Sequence, residues 1–333
     1  MEHSLPNGSV PKNNHFLFHS YLVCSMIFIW SIHALTLRYT QVYPDQTGQY
    51  GSSTVVFLAE MVKLLIAAFL FWREKRFSCK QWWERFSVEV FYSPVEMMKM
   101  SVPSICYAVQ NNLEFVALSH LKASTFIVVS QLKVVTTAIF MVLILGRKFS
   151  FTRWLSIWLV TMGVAAVCSE TALQGTLSEP ADQKSNENPM LGLIVVMINC
   201  TLAGFAGVYC EKMLKETTLS LWMRNMQLYY CGTIFAGITC FAVDGPAVRK
   251  FGFFFGYNWK VWLIVSSLCI GGIYVSLVMK YMDNVMKSFA AAFTIITVSL
   301  ISSWLFSHRL GWTFLVGAIT VCGAIGMYNS VPE

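Results

Sequence analysis

From Phe126 to Leu145 the chain reads FIVVSQLKVVTTAIFMVLIL, and this stretch decides the fold. About 20 apolar residues rising 1.5 Å each cover the roughly 30 Å hydrocarbon core of a bilayer as one helix. Inside it sit Gln131 and Lys133. A cation at that depth costs about 2.5–3.5 kcal/mol on insertion scales, so it must face the protein interior, a watery cavity or a ligand. The stretch before it carries Gln110, Asn111 and Asn112. Two neighbouring spans therefore direct amides and an ammonium to one place in the membrane. That composition suits a cavity for an anionic, hydrogen-bonding solute.

Outward from this stretch the pattern repeats. Of 333 residues, 56% are hydrophobic and 12% charged, with mean hydropathy +0.57; a soluble chain carries about 25% charged residues. Further windows fall at 16–36, 53–72, 100–119, 154–173, 190–209, 219–243, 259–280, 289–306 and 312–328. The expected fold is an all-α membrane protein of about ten transmembrane helices with no soluble domain. The first window lacks a small-residue cleavage site and other spans follow it, so it reads as a retained helix.

Lysine and arginine placement sets the expected orientation. With the N-terminus in the cytosol and alternating spans, fifteen basic residues fall on the cytosolic side and seven on the other. Both termini are thus expected in the cytosol. Arg249, Lys250 and Lys260 dissent, lying on the lumenal side. The net charge of +7 follows from the membrane bias, and no basic–aromatic pattern suggests nucleic acid. Ten scattered cysteines, without C-x-x-C, read as small buried hydrophobes. His15 and His19 have helical spacing but no third ligand near, so neither a metal nor a cofactor is expected. The sequon at Asn7 faces the cytosol on this topology, and the one at Asn199 lies within a span.

The polar stretch 174–189, QGTLSEPADQKSNENP, reads as a lumenal connector. It divides a first five-helix half, 16–173, from a second, 190–328, with cytosolic ends at 1–15 and 329–333. Five spans per half make the second half enter the bilayer in the opposite sense. Inverted-repeat secondary transporters are built this way, with the solute site near the midplane.

Several polar residues in the spans need a reason. Glu60 and Lys63 are three apart and share a helix face, either as a self-satisfied pair or as a cavity lining. Tyr107, Gln110 and Asn111 share one face beside the Lys133 span, which points to ligand contact beyond interhelical hydrogen bonding. Asn225, Gln227 and Tyr229 form another polar set at the start of the seventh span. Lys287 opens the ninth span as a snorkelling anchor or a second anion ligand. Gly204 and Gly207 read as points of close helix approach.

These residues lie in segments that resemble the Golgi nucleotide-sugar transporters: VPSICYAVQNN (102–112), SQLK (130–133), GFAGVYCEKMLK (204–215), WMRNMQ (222–227), GFFFGY (252–257) and KYMDNVMKSF (280–289). The branch most similar holds the CMP-sialic acid, UDP-galactose and UDP-N-acetylglucosamine carriers. The resemblance implies a drug/metabolite-transporter fold of ten helices in two inverted halves. It also implies exchange of a cytosolic nucleotide sugar for a lumenal nucleoside monophosphate in the Golgi membrane. Carried over, Glu60 and Lys63 match the E-x-x-K of the second span, and Tyr107, Gln110 and Asn111 the nucleotide-contacting face of the third. Lys133 matches the phosphate-binding lysine, Asn225 and Tyr229 the seventh-span contacts, and Lys287 the lysine opening the ninth.

The fourth span departs from its relatives. Where they read Y-Q-V-T-Y-Q-L-K, this chain has Phe126, Ile127, Val128, Val129 and Ser130 before the retained Gln131, Leu132 and Lys133. Lys122 and Glu114 also invert the usual pattern, as a candidate pair across a short loop. The expected substrate is a UDP-sugar (UDP-GlcNAc, UDP-GalNAc or UDP-Gal). The alternatives are a CMP-sialic acid/CMP antiporter and a non-transporting scaffold derived from the family. A membrane-embedded glycosyltransferase is disfavoured, because Asp45, Asp182, Asp244 and Asp283 are far apart with no D-x-D. Expected partners are the nucleotide sugar, the monophosphate and the bilayer, with a second copy of the chain or a glycosyltransferase left open.

Overall fold

The computed structural model describes residues 12–42, 50–91, 93–121, 123–176, 188–217, 219–306 and 311–330. These residues form helices and no strand: α1 Lys12–Val42, α2 Ser52–Glu74, α3 Cys79–Phe86, α4 Pro94–His120, α5 Ala123–Ser130, α6 Lys133–Leu145, α7 Phe151–Thr176, α8 Pro189–Lys215, α9 Leu221–Val243, α10 Gly245–Phe251, α11 Trp259–Tyr281, α12 Asn284–Phe306 and α13 Trp312–Ser330. Local chemistry sets the ends. Asn188, Ser220 and Asn258 accept the backbone N–H three residues on and cap α8, α9 and α11. Gly146, at φ 65°, takes the left-handed conformation that ends α6. Pro94 and Pro189 open α4 and α8, where no N–H is needed.

Nine segments among the described residues are long and apolar enough to cross a membrane, with α5 and α6 counted as one. The fold is an all-α membrane protein. The tenth expected span is α4, a 27-residue helix whose polarity comes from Glu96, Lys99, Gln110, Asn111, Asn112 and Glu114. The polar connector begins later than its composition suggested, because α7 runs on to Thr176 and α8 begins at Pro189. Residues 177–187, the Asn7 sequon and Lys122 lie outside the described residues, as does the expected Lys122–Glu114 pair.

The span expected as one helix over 126–145 is broken. Between α5 and α6, Gln131 N donates to Val128 O, Leu132 N to Val129 O and Val134 N to Gln131 O. These are tight i→i−3 bonds of the 3₁₀ kind. Side chains compete for the ladder here: Ser130 Oγ and Gln131 Nε2 both donate to Ile127 O. The break falls at Gln131–Leu132, so Lys133 opens α6 rather than sitting inside a helix.

Helix partners recur with a shift of five spans. Let spans one to ten be α1, α2, α4, α5–α6, α7, α8, α9, α11, α12 and α13. Span three then lies on six as eight lies on one, four on six as nine on one, and three on seven as eight on two; two pairs with seven and five with ten. The largest apolar cluster joins α6, α7, α12 and α13, from Val134 and Ile157 to Phe289 and Phe314. Apolar area drives no association against lipid tails, so close approach at small residues matters. A Cβ on Gly163 would meet Gly317 O at 2.9 Å, and one on Gly204 would meet the Thr136 and Thr137 backbone at 2.8 Å. Gly204 thus acts as a point of close approach, as its spacing suggests.

Candidate anion and nucleotide site

Lys133 is held by its surroundings rather than by a partner. Its helix is pinned to α8 where Thr136 Oγ1 donates to Cys200 O at 2.7 Å, beside the Gly204 contact. Val134 and Val135 are buried while Lys133 is exposed. Lys287 stands in the first turn of α12, where its N–H donates to Asp283 O. Its side chain is within electrostatic reach of Lys133, of Cys210 and of Glu211. Among the described residues, neither Lys133 nor Lys287 has a side-chain hydrogen bond or ion pair.

Cys210 on α8 brings four spans together. It is 3% exposed and lies within electrostatic reach of Tyr107 on α4, Tyr229 on α9 and Lys287 on α12. Tyr107 is 38% exposed. One turn on, Gln110 Nε2 is buried without a partner among the described residues. A buried donor left unpaired is costly, and a solute acceptor would satisfy it. The backbone of Asn111 continues α4, but its side chain lies outside the described residues.

Within the second group, Glu60, Lys63 and Tyr229 already have partners. Lys63 Nζ is 2.6 Å from Glu60 Oε1 and 4.8 Å from the centroid of the Tyr229 ring. Glycines make room for the pair: a Cβ on Gly232 would meet Glu60 Oε2 at 2.8 Å, and one on Gly272 would meet Lys63 Cδ at 2.8 Å. Tyr229 is 3% exposed, with its hydroxyl 3.2 Å from Ser276 Oγ. Asn225 is fully buried and both its amide atoms lack partners among the described residues. Lys133, Lys287, Tyr107, Gln110 and Asn225 therefore offer accessible or unsatisfied groups, whereas Glu60, Lys63 and Tyr229 already have partners in this conformation.

Other charges in the spans do find counter-charges. At one membrane face Glu211, fully buried, is 2.7 Å from Lys215 and 3.7 Å from Arg147, and accepts from Asn284 N at 2.8 Å. Arg147 also meets Asp283 at 3.2 Å. On the same face Arg224 reaches Glu96 at 2.7 Å and Gln227 at 2.9 Å. Glu96, in the first turn of α4, accepts hydrogen bonds from both Lys99 and Arg224. At the opposite face Asp244 accepts from Ser53 N at 3.1 Å, and Tyr257 OH lies 3.0 Å from Thr54 Oγ1. The loops joined at the first face are the basic-rich ones that sequence placed together. Cys210, Gly232 and Gly272 carry no sequence signal, because each matters only through the helix it touches.

The chain is thus an all-α membrane protein whose spans carry two cations in no ion pair and an unpaired amide among the described residues. The nucleotide-sugar transporter family model matches residues 14–329, and the chain belongs to that family. It is 45% identical to the UDP-galactose translocator 1 of Caenorhabditis elegans, over 98% of this chain and 91% of that protein. It is 38% identical to the UDP-N-acetylglucosamine transporter of Rattus norvegicus, over 92% and 94%. A crystal structure at 10% identity covers 93% of this chain and 94% of its own with a TM-score of 0.65, a likeness of fold alone.

Proposed function

We propose that this chain carries a UDP-sugar (UDP-Gal, UDP-GlcNAc or UDP-GalNAc) from the cytosol into the Golgi lumen in exchange for nucleoside monophosphate, with both termini cytosolic. It performs no covalent chemistry. The observation that carries the reading is the pair Lys133 and Lys287, within electrostatic reach of each other and in no ion pair among the described residues, while Lys215 and Lys63 are paired. Phosphate oxygens supply the missing negative charge. Gln110 and Asn111 meet the base, with Tyr107 beside them. Glu60, Lys63, Tyr229 and Asn225 form the wall reached when α9 and its neighbours shift.

The two halves, 16–173 and 190–328, alternate access around this midplane site, and the five-span recurrence of helix contacts supports that division. The empty carrier holds two like charges unpaired within the bilayer span, and charge at that depth is costly. Reorientation is therefore favoured with a phosphate aboard, which makes transport an exchange. A second copy of the chain or a glycosyltransferase as partner belongs to the same reading. The test is counter-flow into liposomes loaded with UMP or CMP. UMP-driven uptake of UDP-sugars above CMP-sialic acid is expected; CMP-driven uptake of CMP-sialic acid alone would assign the other branch, and no uptake with either would indicate a scaffold.

A further inference from the structure

The corner between α2 and α3 carries a feature that solute transport does not use. Arg76 and Phe77, at φ 52° and 61°, reverse the chain after α2, and α3 folds back so that Trp82 Nε1 donates to Ala68 O at 3.2 Å. Ala68 lies within the last apolar turns of the second span, so α3 lies at the depth where lipid headgroups meet acyl chains, the usual level of tryptophan. Between the helices is a slot of about 420 Å³ lined by Ala68, Phe69, Trp72, Cys79, Trp82 and Trp83. Phe69 and Trp83 are more than half exposed. One polar atom in this apolar wall stands out: Trp72 Nε1 is buried with no hydrogen-bond partner among the described residues.

The cations next to the lining residues in the chain are unevenly neutralised. Glu74 lies 3.7 Å from Lys75, and Glu84 lies 4.0 Å from Lys80. Arg73, Arg76 and Arg85 are exposed and meet no carboxylate among the described residues. Guanidinium forks match phosphate oxygens in pairs, the aromatic walls match a hydrocarbon chain, and the free indole N–H matches an ester carbonyl between the two. We propose that this corner is a binding site for one anionic glycerophospholipid, its phosphate on the arginines and an acyl chain in the slot. The topology proposed above places it in the cytosolic leaflet; the site itself does not depend on that topology.

Native mass spectrometry of the full chain in detergent tests this, with dioleoyl phosphatidic acid, dioleoyl phosphatidylcholine and glycerol 3-phosphate as probes. Phosphatidic acid should be retained at least tenfold more than phosphatidylcholine, and glycerol 3-phosphate, which lacks the chains, should neither bind nor compete at equal concentration. The triple variant Arg73→Gln/Arg76→Gln/Arg85→Gln should lose at least tenfold while its stabilisation by UMP is unchanged. Trp72→Phe, which keeps the ring and removes the N–H, should lose severalfold by itself. Equal retention of both lipids, wild-type retention by both variants, or equal competition by glycerol 3-phosphate would overturn the proposal. Arginine-dependent capture of an acidic peptide in place of the lipid would overturn it too, by making the corner a protein-docking surface.

Discussion

Lys133, opening α6, and Lys287, in the first turn of α12, lie within electrostatic reach of each other, and neither has a carboxylate partner among the described residues. Two like charges at one place in a membrane protein repel unless an anion joins them. Glu211, fully buried, neutralises Lys215 a short distance along the same face. On the proposed function, this contrast separates charges that hold the fold from charges left for a solute.

Replacing Lys133 should therefore stop transport without unfolding the protein. Lys133→Ala is expected to abolish counter-flow while reaching the membrane in normal amount, since an apolar residue inserts more easily. Lys133→Arg should recover little, because its larger fork differs from a compact ammonium. Lys287→Ala should lower uptake by at least tenfold, a loss of about 1.4 kcal/mol. Normal uptake by the alanine variants would place the phosphates elsewhere.

The Glu60–Lys63 pair should behave as a unit. At 2.6 Å and largely buried, it is more costly to break than to remove. Glu60→Gln alone leaves Lys63 beside Tyr229 without its counter-charge, a penalty on the order of 3–5 kcal/mol. Adding Lys63→Gln should restore much of the thermal midpoint. Additive losses in the double variant would show that the two carboxylate and ammonium groups act independently.

Gln110→Ala should raise the half-saturating concentration for UMP and for the UDP-sugar alike, because the base is common to both. One well-placed hydrogen bond contributes about 0.5–1.5 kcal/mol, an effect of about two- to twelvefold. The measurement is counter-flow with each solute on both sides of the exchange. A defect confined to the sugar conjugate would move Gln110 to the sugar end.

The family departures in the fourth span divide by environment. Phe126 is 7% exposed and, with Val129, packs against α4 and α8. Ile127 is 38% exposed, and Ser130 donates to Ile127 O. Phe126→Tyr with Val129→Thr should therefore cost stability and rate uniformly, by burying hydroxyls in an apolar cluster. Ile127→Gln with Ser130→Tyr should reorder the substrate ranking. The same ranking for all variants would make the whole stretch a matter of helix contact alone.

Sequence carried the all-α membrane fold and nine of its spans, because each is a long apolar run. It also carried the Glu60–Lys63 contact, since three residues along a helix fix the geometry. It did not carry the break at Gln131–Leu132. Serine and glutamine are ordinary in helices, and only their bonds to Ile127 O reveal the competition. Nor did it separate Tyr107 from Tyr229: one is part-exposed and the other is buried against Ser276, a difference set by helix rotation. Glu211 and Arg147 are 64 positions apart, so their pairing emerges only when α8 meets the loop after α6.

The central claim is that Lys133 and Lys287 seat phosphate, and isothermal titration of UMP against uridine tests it most directly. Two charge-assisted contacts of about 1.5 kcal/mol each should make the wild-type protein bind UMP on the order of 100-fold more tightly than uridine. In Lys133→Ala the UMP affinity should fall toward that of uridine while uridine binding stays unchanged. Unchanged UMP binding by Lys133→Ala, or an equal loss for UMP and uridine, would contradict the account.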